Sequence, residues 1–168
     1  TCHCHGADLT VPVYCHKAKV MKNILVPIDF SDSSKDALAV ASTWSAPWKA
    51  KLWLVHVAAP DPDFVGFRTG PTYIREHRAD VLRQEHADLQ QMAQELKDRG
   101  LDAEALLIQG PTTETLLGEI DKLDIDLVVM GSHGRGGLYK AFVGSVSEQV
   151  LHESEVPVLI VPDKNKKR

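Results

Sequence analysis

Gly131-Ser132-His133-Gly134 is followed after nine residues by Gly144-Ser145, between a strand-like apolar run, Asp126 to Met130, and a helix-like run opening at Ser145. Glycines let main-chain N–H groups approach an anion with no side chain in the way, and a following helix adds unpaired N–H groups and its dipole. A strand, a glycine loop and a helix in that order can cradle phosphate, so the spacing predicts a nucleotide site. Ser145 and Ser147 add hydroxyls in the first helical turn, where amides are otherwise unpaired, and Arg135 adds a charge able to pair with phosphate. His133 lies between the glycines, where an imidazole can donate to a phosphate or ribose oxygen; nothing in that position requires acid–base catalysis.

Machinery for fast turnover is not visible. A P-loop enzyme needs a lysine directly before the Ser or Thr that closes its loop, and Val143-Gly144-Ser145 offers none. Paired carboxylates, a nucleophile elbow and an obvious metal cage are also missing, so no catalytic residue is expected and plain binding or slow hydrolysis is favoured. The cluster Cys2-His3-Cys4-His5, with Cys15-His16 beyond it, is dense enough in soft and imidazole ligands to hold zinc or copper, but its spacing fits no closed structural site.

Other polar and aromatic residues carry competing readings. Asp29, at the end of the first strand-like run, reads as a carboxylate capping the next helix, as a hydrogen-bond acceptor for a base or ribose, or as both. His56 is expected to be a satisfied core histidine. His77, Glu85 and His86 read as a solvated helix face, because no histidine pair four apart encloses a glutamate. Trp44, Trp48 and Trp53 read as core or edge aromatics.

The elements that must position these residues follow from apolar patterning. Short runs rich in Val, Ile and Leu alternate with amphipathic stretches, which predicts βαβ units and a parallel sheet covered on both faces. Five strands are expected, at Asn23 to Ile28, Lys51 to Val57, Ala103 to Gln109, Asp126 to Met130 and Val156 to Val161. Ser33 or Ser34 can cap a first helix with Ala37, Leu38, Ala41 and Trp44 on its apolar face, ended by Pro47. A long helix over roughly Thr72 to Arg99 turns Val81, Leu82, Leu89, Met92 and Leu96 inward and stops at Gly100. Thr112 or Thr113 can open a third helix, with Leu116, Leu117 and Ile120 inward, and a fourth runs from about Ser145 to His152. The proline-rich stretch Ala58 to Pro71 is expected to be a mobile loop.

At 168 residues, 43% hydrophobic and 25% charged, the chain fits one ordinary globular domain, which at this length buries roughly 70% of its unfolded surface. No apolar run approaches the roughly 18 residues that cross a bilayer, so no membrane is expected. A net charge of −4 argues against nucleic acid, and the basic stretch 163–168 reads as a solvated tail. All three cysteines fall within the first fifteen residues, which leaves none to staple the body of the fold and suggests a reducing cytoplasm. Residues 1–20 lack periodicity and read as a leader or appended stretch, with the domain over 21–162.

The body from Met21 to Pro162 resembles the universal stress protein family. The likeness rests on Asn23-Ile24-Leu25-Val26-Pro27-Ile28-Asp29-Phe30-Ser31, Leu54-Val55-His56-Val57, Val129-Met130-Gly131-Ser132-His133-Gly134-Arg135-Gly136 and Val156-Pro157-Val158-Leu159-Ile160-Val161. Members that bind ATP carry glycine, two residues, glycine, nine residues, then glycine with serine or threonine, and this chain matches each position. The resemblance implies an α/β fold of flavodoxin-like or Rossmann-like type, an open parallel sheet of five strands in the order 3-2-1-4-5 with helices on both faces. It also implies a homodimer joined partly through the last strand.

Carried over residue by residue, the resemblance places Asp29 and Val57 against adenosine, with Pro27 shaping that side. Gly131, His133, Gly134, Gly144, Ser145, Val146 and Ser147 would surround ribose and phosphates, with Met130 at the rim. The ligand so implied is ATP, with Mg2+ bridged to its phosphates if turned over; AMP, ADP or a cyclic nucleotide would suit the same site. Three readings result: a stress-response switch that changes shape or affinity for a protein partner with nucleotide occupancy, a slow ATPase or nucleotidyl-transferring enzyme, and a dimeric interaction protein without ligand.

Overall fold

The computed structural model of the chain describes residues 20–60, 72–132 and 144–162, the first turn of the long helix (72–75) as backbone alone. Strands β1 (Asn23–Pro27), β2 (Lys51–Ala58), β3 (Ala103–Gln109), β4 (Leu127–Gly131) and β5 (Val158–Val161) alternate with helices α1 (Asp32–Trp48), α2 (Thr72–Asp98), α3 (Thr112–Lys122) and α4 (Ser145–Glu153). The strands form one parallel sheet in the order β3-β2-β1-β4-β5. The parallel sheet, the strand order and helices on both faces are all as expected.

Side-chain alternation along each strand divides the core into two layers. Ile24, Val26, Leu52, Leu54 and Val129 pack with Ala37, Leu38 and Ala41 of α1 and Leu89, Ala93 and Leu96 of α2. Leu25, Val55, Val128 and Met130 pack on the other face with Leu116 and Ile120 of α3 and Val150 of α4. Both faces of the central strands are therefore dry, which is why they read as near-continuous apolar runs.

Several boundaries differ from the sequence expectation, each for a local reason. Ser31, not Ser33 or Ser34, caps α1, its Oγ accepting from the Ser34 N–H at 3.2 Å. No side chain caps α3, where Pro111 occupies the N-cap position ahead of Thr112. Strand β5 starts at Val158 rather than Val156, because Ser154 Oγ ties up the Val156 N–H and donates to the Val156 carbonyl, closing a turn. Asp126 lies just before β4, and its Oδ2 accepts from the Lys22 and Asn23 N–H groups at 2.7 and 3.0 Å, pinning the start of β1. Gly100 ends α2 with φ of 81°, a left-handed conformation that glycine adopts without a Cβ penalty.

Trp44 does not belong to the apolar face of α1: it is 48% exposed, and Trp48 is 55% exposed. The buried residues are instead Leu38 and a set of small ones, Ser33, Ser34, Ala37, Ala41, Ser42 and Ser45. Ser42 and Ser45 donate to the helix's own carbonyls at Leu38 and Ser42, which lets their hydroxyls be buried at little cost. Trp53, half-buried against the core on the interior strand β2, fits the expectation of a core or edge aromatic, its indole N–H donating to Asn23 Oδ1 and its ring under the Lys51 ammonium.

Candidate functional site

The sheet opens where β1 and β4 part. Their pairing covers only Ile24↔Leu127 and Leu25↔Val128. Because the Ile28 N–H turns toward β2, where it donates to Val55 O at 2.8 Å, the nitrogen of Pro27 faces β4 and has no proton to donate. The ladder cannot continue, and the ends of the two strands diverge. Strand order reverses at this point, since β1 leads outward to β2 and β4 outward to β5, and such switch points are where open parallel sheets bind ligands.

On the β1 side Asp29 closes a tight turn. Its Oδ1 accepts from both the Ser31 N–H (3.0 Å) and the Ser31 hydroxyl (2.6 Å), and Ser31 in turn caps α1. Asp29 thus does not cap α1 itself, as one sequence reading has it, but holds Ser31, the residue that does. Phe30, between them, sits at φ of 63°, a left-handed conformation costly for a bulky residue.

On the β4 side Gly144 is held against the end of the strand. The Gly144 N–H donates to Ser132 O at 2.7 Å, and the Ser132 N–H donates to Val161 O at 2.9 Å. Ser147, 6% exposed, donates its hydroxyl to Gly131 O at 2.9 Å. The N-terminus of α4 is therefore docked onto the end of β4. It has no side-chain cap, and the N–H groups of Ser145, Val146 and Ser147 have no acceptor among the described residues. Three amides and the positive end of a helix dipole, beside the end of the sheet where β1 and β4 part, are groups able to receive an anion.

The predicted site residues divide into groups. Pro27, Asp29, Gly131, Gly144, Ser145, Val146 and Ser147 lie at the two facing ends, and Val57 lies one strand over, half-buried against the α3/α4 layer. His133, Gly134 and Arg135 lie outside the described residues, as do Cys2, His3, Cys4 and His5. Met130 is not a rim residue by its side chain, which is 4% exposed and packed in the core; only its main chain borders the opening. The Ser147 hydroxyl donates to Gly131 O rather than into the opening. Gly131 is required for packing: a Cβ there would lie 2.2 Å from Ser33 Oγ and 2.9 Å from Ser33 O. No group of three or more metal-ligating side chains occurs among the described residues.

Two residues near this opening escaped the sequence reading. Ser33, 6% exposed, lies over Gly131, and its Oγ has no hydrogen-bond partner among the described residues. Glu85 is not on a solvated face: its Oε2 lies 3.5 Å from Nε2 of the buried His56. Its place on the helical stripe between Leu82 and Leu89 was a usable signal. His77 and His86 are exposed as expected.

The universal stress protein family model matches residues 21–162. This chain belongs to that family. It is 35% identical over 144 residues to a universal stress protein of Thermus aquaticus encoded in the QAH/OAS sulfhydrylase 3′ region, covering 84% of this chain and 99% of that one. Universal stress protein YxiE of Bacillus subtilis is 31% identical over 147 residues, covering 84% and 99%. Among solved structures, the protein MJ0577 superposes with a TM-score of 0.74 at 26% identity, over 87% of this chain and 99% of that one. A universal stress protein in complex with cAMP superposes with a TM-score of 0.64 at 27% identity, over 84% and 97%. As a universal stress protein domain, the chain is matched across its whole βαβ body. No described helix is long and apolar enough to cross a membrane.

Proposed function

We propose that this universal stress protein domain binds an adenine nucleotide, ATP in the first instance, at the divergence of β1 and β4, and acts as an occupancy-dependent switch or sensor in the stress response with little or no turnover. The observation that carries the reading is the uncapped N-terminus of α4, whose Ser145, Val146 and Ser147 amides have no acceptor among the described residues. Phosphates would be received by these amides and by Gly131 to Arg135, and adenosine by Asp29, Pro27 and Val57. The cAMP bound by the 27% identical relative supports an adenine ligand in this family. Any Mg2+ would be held through the phosphates, since the described residues present no cage of their own. Two copies would pair through the outer edge of β5, which ends the sheet.

Replacing Ser145 with proline tests the anion site without attacking the fold. Ser145 is the first residue of α4, where proline is tolerated because its N–H makes no helical bond. Gly144 before it is already extended (φ −71°, ψ 156°), as a residue preceding proline prefers. Titration calorimetry with ATP, ADP, AMP and cAMP should show binding to the native protein. Ser145→Pro should weaken ATP by about ten-fold, equivalent to one charge-assisted amide bond, with an unchanged melting temperature. No binding by the native chain, or equal binding by the variant, would reject the site.

A further inference from the structure

We infer that His56 and Glu85 form a proton-dependent latch that ties helix α2 to the turn carrying Asp29, so that His56 is a positioning residue of the candidate nucleotide site. The inference rests on the nucleotide reading above for its functional consequence. The latch itself stands on geometry.

His56 grips Asp29 from both chain neighbours. Its Nδ1 lies 2.6 Å from the carbonyl oxygen of Ile28, the residue before Asp29. Its ring lies 4.8 Å from the ring of Phe30, the residue after, tilted by 52°. Phe30 is the left-handed residue of the turn, and such a conformation persists only where the surroundings enforce it. The imidazole, with 8% of its side chain exposed, is one of the groups that enforce it.

The protonation logic follows from the partners. A carbonyl oxygen can only accept, so Nδ1 carries a proton in either charge state. On a neutral ring Nε2 would then be a lone pair facing the Glu85 carboxylate at 3.5 Å, lone pair against anion. A proton on Nε2 turns the same geometry into an ion pair with both partners sheltered from solvent. Glu85, with 21% of its side chain exposed, belongs to α2, so the added proton attaches that helix to the β1–α1 turn through one ring.

Other charges around the ring do not replace Glu85. On α2, Arg78 lies two turns earlier on the same stripe, with its guanidinium on the Ala59 carbonyl. On the β1 side, Asp29 directs Oδ1 to Ser31. Strand β3 places apolar Leu107 in register with His56. Helix α1 contributes Ala37, Leu38 and Ala41 to this layer; its Asp32 and Lys35 are exposed and 3.6 Å from each other, and Asp36 is half-buried.

The sign is fixed by this geometry: proton uptake on Nε2 favours the latched state, so the latch tightens as pH falls and loosens as pH rises. Glu85→Gln is the discriminating variant, because a glutamine amide can donate to neutral Nε2 and hold the latch without a second proton. His56→Asn keeps a donor for Ile28 O but has no atom to reach Glu85.

The test is amide hydrogen exchange of the ligand-free protein between pH 5.5 and 8, corrected for intrinsic rates, with nitrogen NMR of the His56 ring and ATP titrations alongside. In the native chain, protection of the Asp29–Ser31 amides and of α2 around Glu85 should fall with pH, and ATP affinity should fall at least about five-fold relative to Glu85→Gln. That comparison cancels protonation of the nucleotide itself. Glu85→Gln should keep its protection at pH 8, and His56→Asn should show the unlatched level throughout. A native protection profile flat in pH, or identical to that of Glu85→Gln, overturns the latch. If protection shifts as expected but ATP binds at no pH, the latch stands and the nucleotide reading falls; if ATP binds with no pH difference between the two proteins, His56 does not position the site.

Discussion

Gly131 and Ser33 touch across the switch point so closely that no side chain fits between them: a Cβ on Gly131 would meet the Ser33 hydroxyl at 2.2 Å, its carbonyl oxygen at 2.9 Å and its carbonyl carbon at 3.0 Å. The first glycine of the motif thus lets α1 lie against the end of β4, which holds the Asp29 turn and the α4 N-terminus opposite one another. The glycine serves the site through packing.

Gly131→Ala should therefore destabilise the protein by about 1–3 kcal/mol, the usual cost of overpacking. Removing the hydroxyl with Ser33→Ala should not rescue it, because the backbone contacts at 2.9 and 3.0 Å remain. Gly110→Ala is the control: its Cβ would meet only Thr115 Oγ1, at 2.6 Å, a side-chain end that can rotate away. Urea denaturation midpoints of the four proteins check this. A Gly131→Ala protein as stable as the native one would mean that the two backbones separate freely.

Asp29 does two tasks that substitution can separate. An amide oxygen can accept from the Ser31 N–H and hydroxyl as the carboxylate does, so Asp29→Asn should keep the turn and nearly all stability. Asp29→Ala removes both bonds and should cost about 1–3 kcal/mol. If the nucleotide reading holds, Asp29→Ala should also lose ATP affinity beyond what its stability loss explains, while Asp29→Asn shows the effect of charge alone. Melting temperature and ATP titration on the same samples separate these effects. Equal stability of the two variants would rule out the turn as the role of Asp29.

Asp126 joins the two strands at their opposite ends, accepting from Lys22 and Asn23 through Oδ2. Asp126→Ala leaves two amides at the start of β1 without that acceptor and should cost about 1.5–3 kcal/mol, the range for hydrogen bonds to a charged group. Faster hydrogen exchange at Lys22 and Asn23, with β2 and β3 still protected, would locate the loss. Uniform deprotection would instead mark a global effect.

The central strands were legible because burial on both faces leaves Val, Ile and Leu, with Trp53 the one exception, in Ile24–Val26, Leu52–Val55 and Leu127–Val129, runs too short and too continuous for an amphipathic helix. The switch-point location followed from strand order. What sequence patterning missed are contacts at polar positions. Ser42 and Ser45 look solvent-facing until their hydroxyls are seen bonded to their own helix, and with those small residues inward Trp44 must point out. Glu85 reads as a surface glutamate because its partner, His56, is remote in sequence and comes under α2 only once the sheet is assembled. The Ser33–Gly131 contact is invisible for a related reason: a glycine motif announces room for a ligand and for a neighbouring helix in the same letters.

The outer edge of β5 yields the last prediction. Val128 N–H donates to Pro157 O and Ser132 N–H to Val161 O, and the register pairs Val128 with Val158 and Met130 with Ile160. In a parallel ladder this alternation turns the polar groups of Pro157, Leu159 and Val161 toward β4, leaving the N–H groups of Val158 and Ile160 on the free edge. Pro157, whose nitrogen also faces β4, has no N–H to extend the ladder inward, and β5 begins after it; a proline at Ile160 would instead remove only an outward donor, as edge strands tolerate. If two copies join through this edge, Ile160→Pro should shift the protein from dimer to monomer in sedimentation equilibrium while its far-ultraviolet dichroism stays native. Leu159→Pro, which breaks an inward bond, should instead lose stability. A folded Ile160→Pro protein that remains dimeric would place the contact elsewhere on the surface.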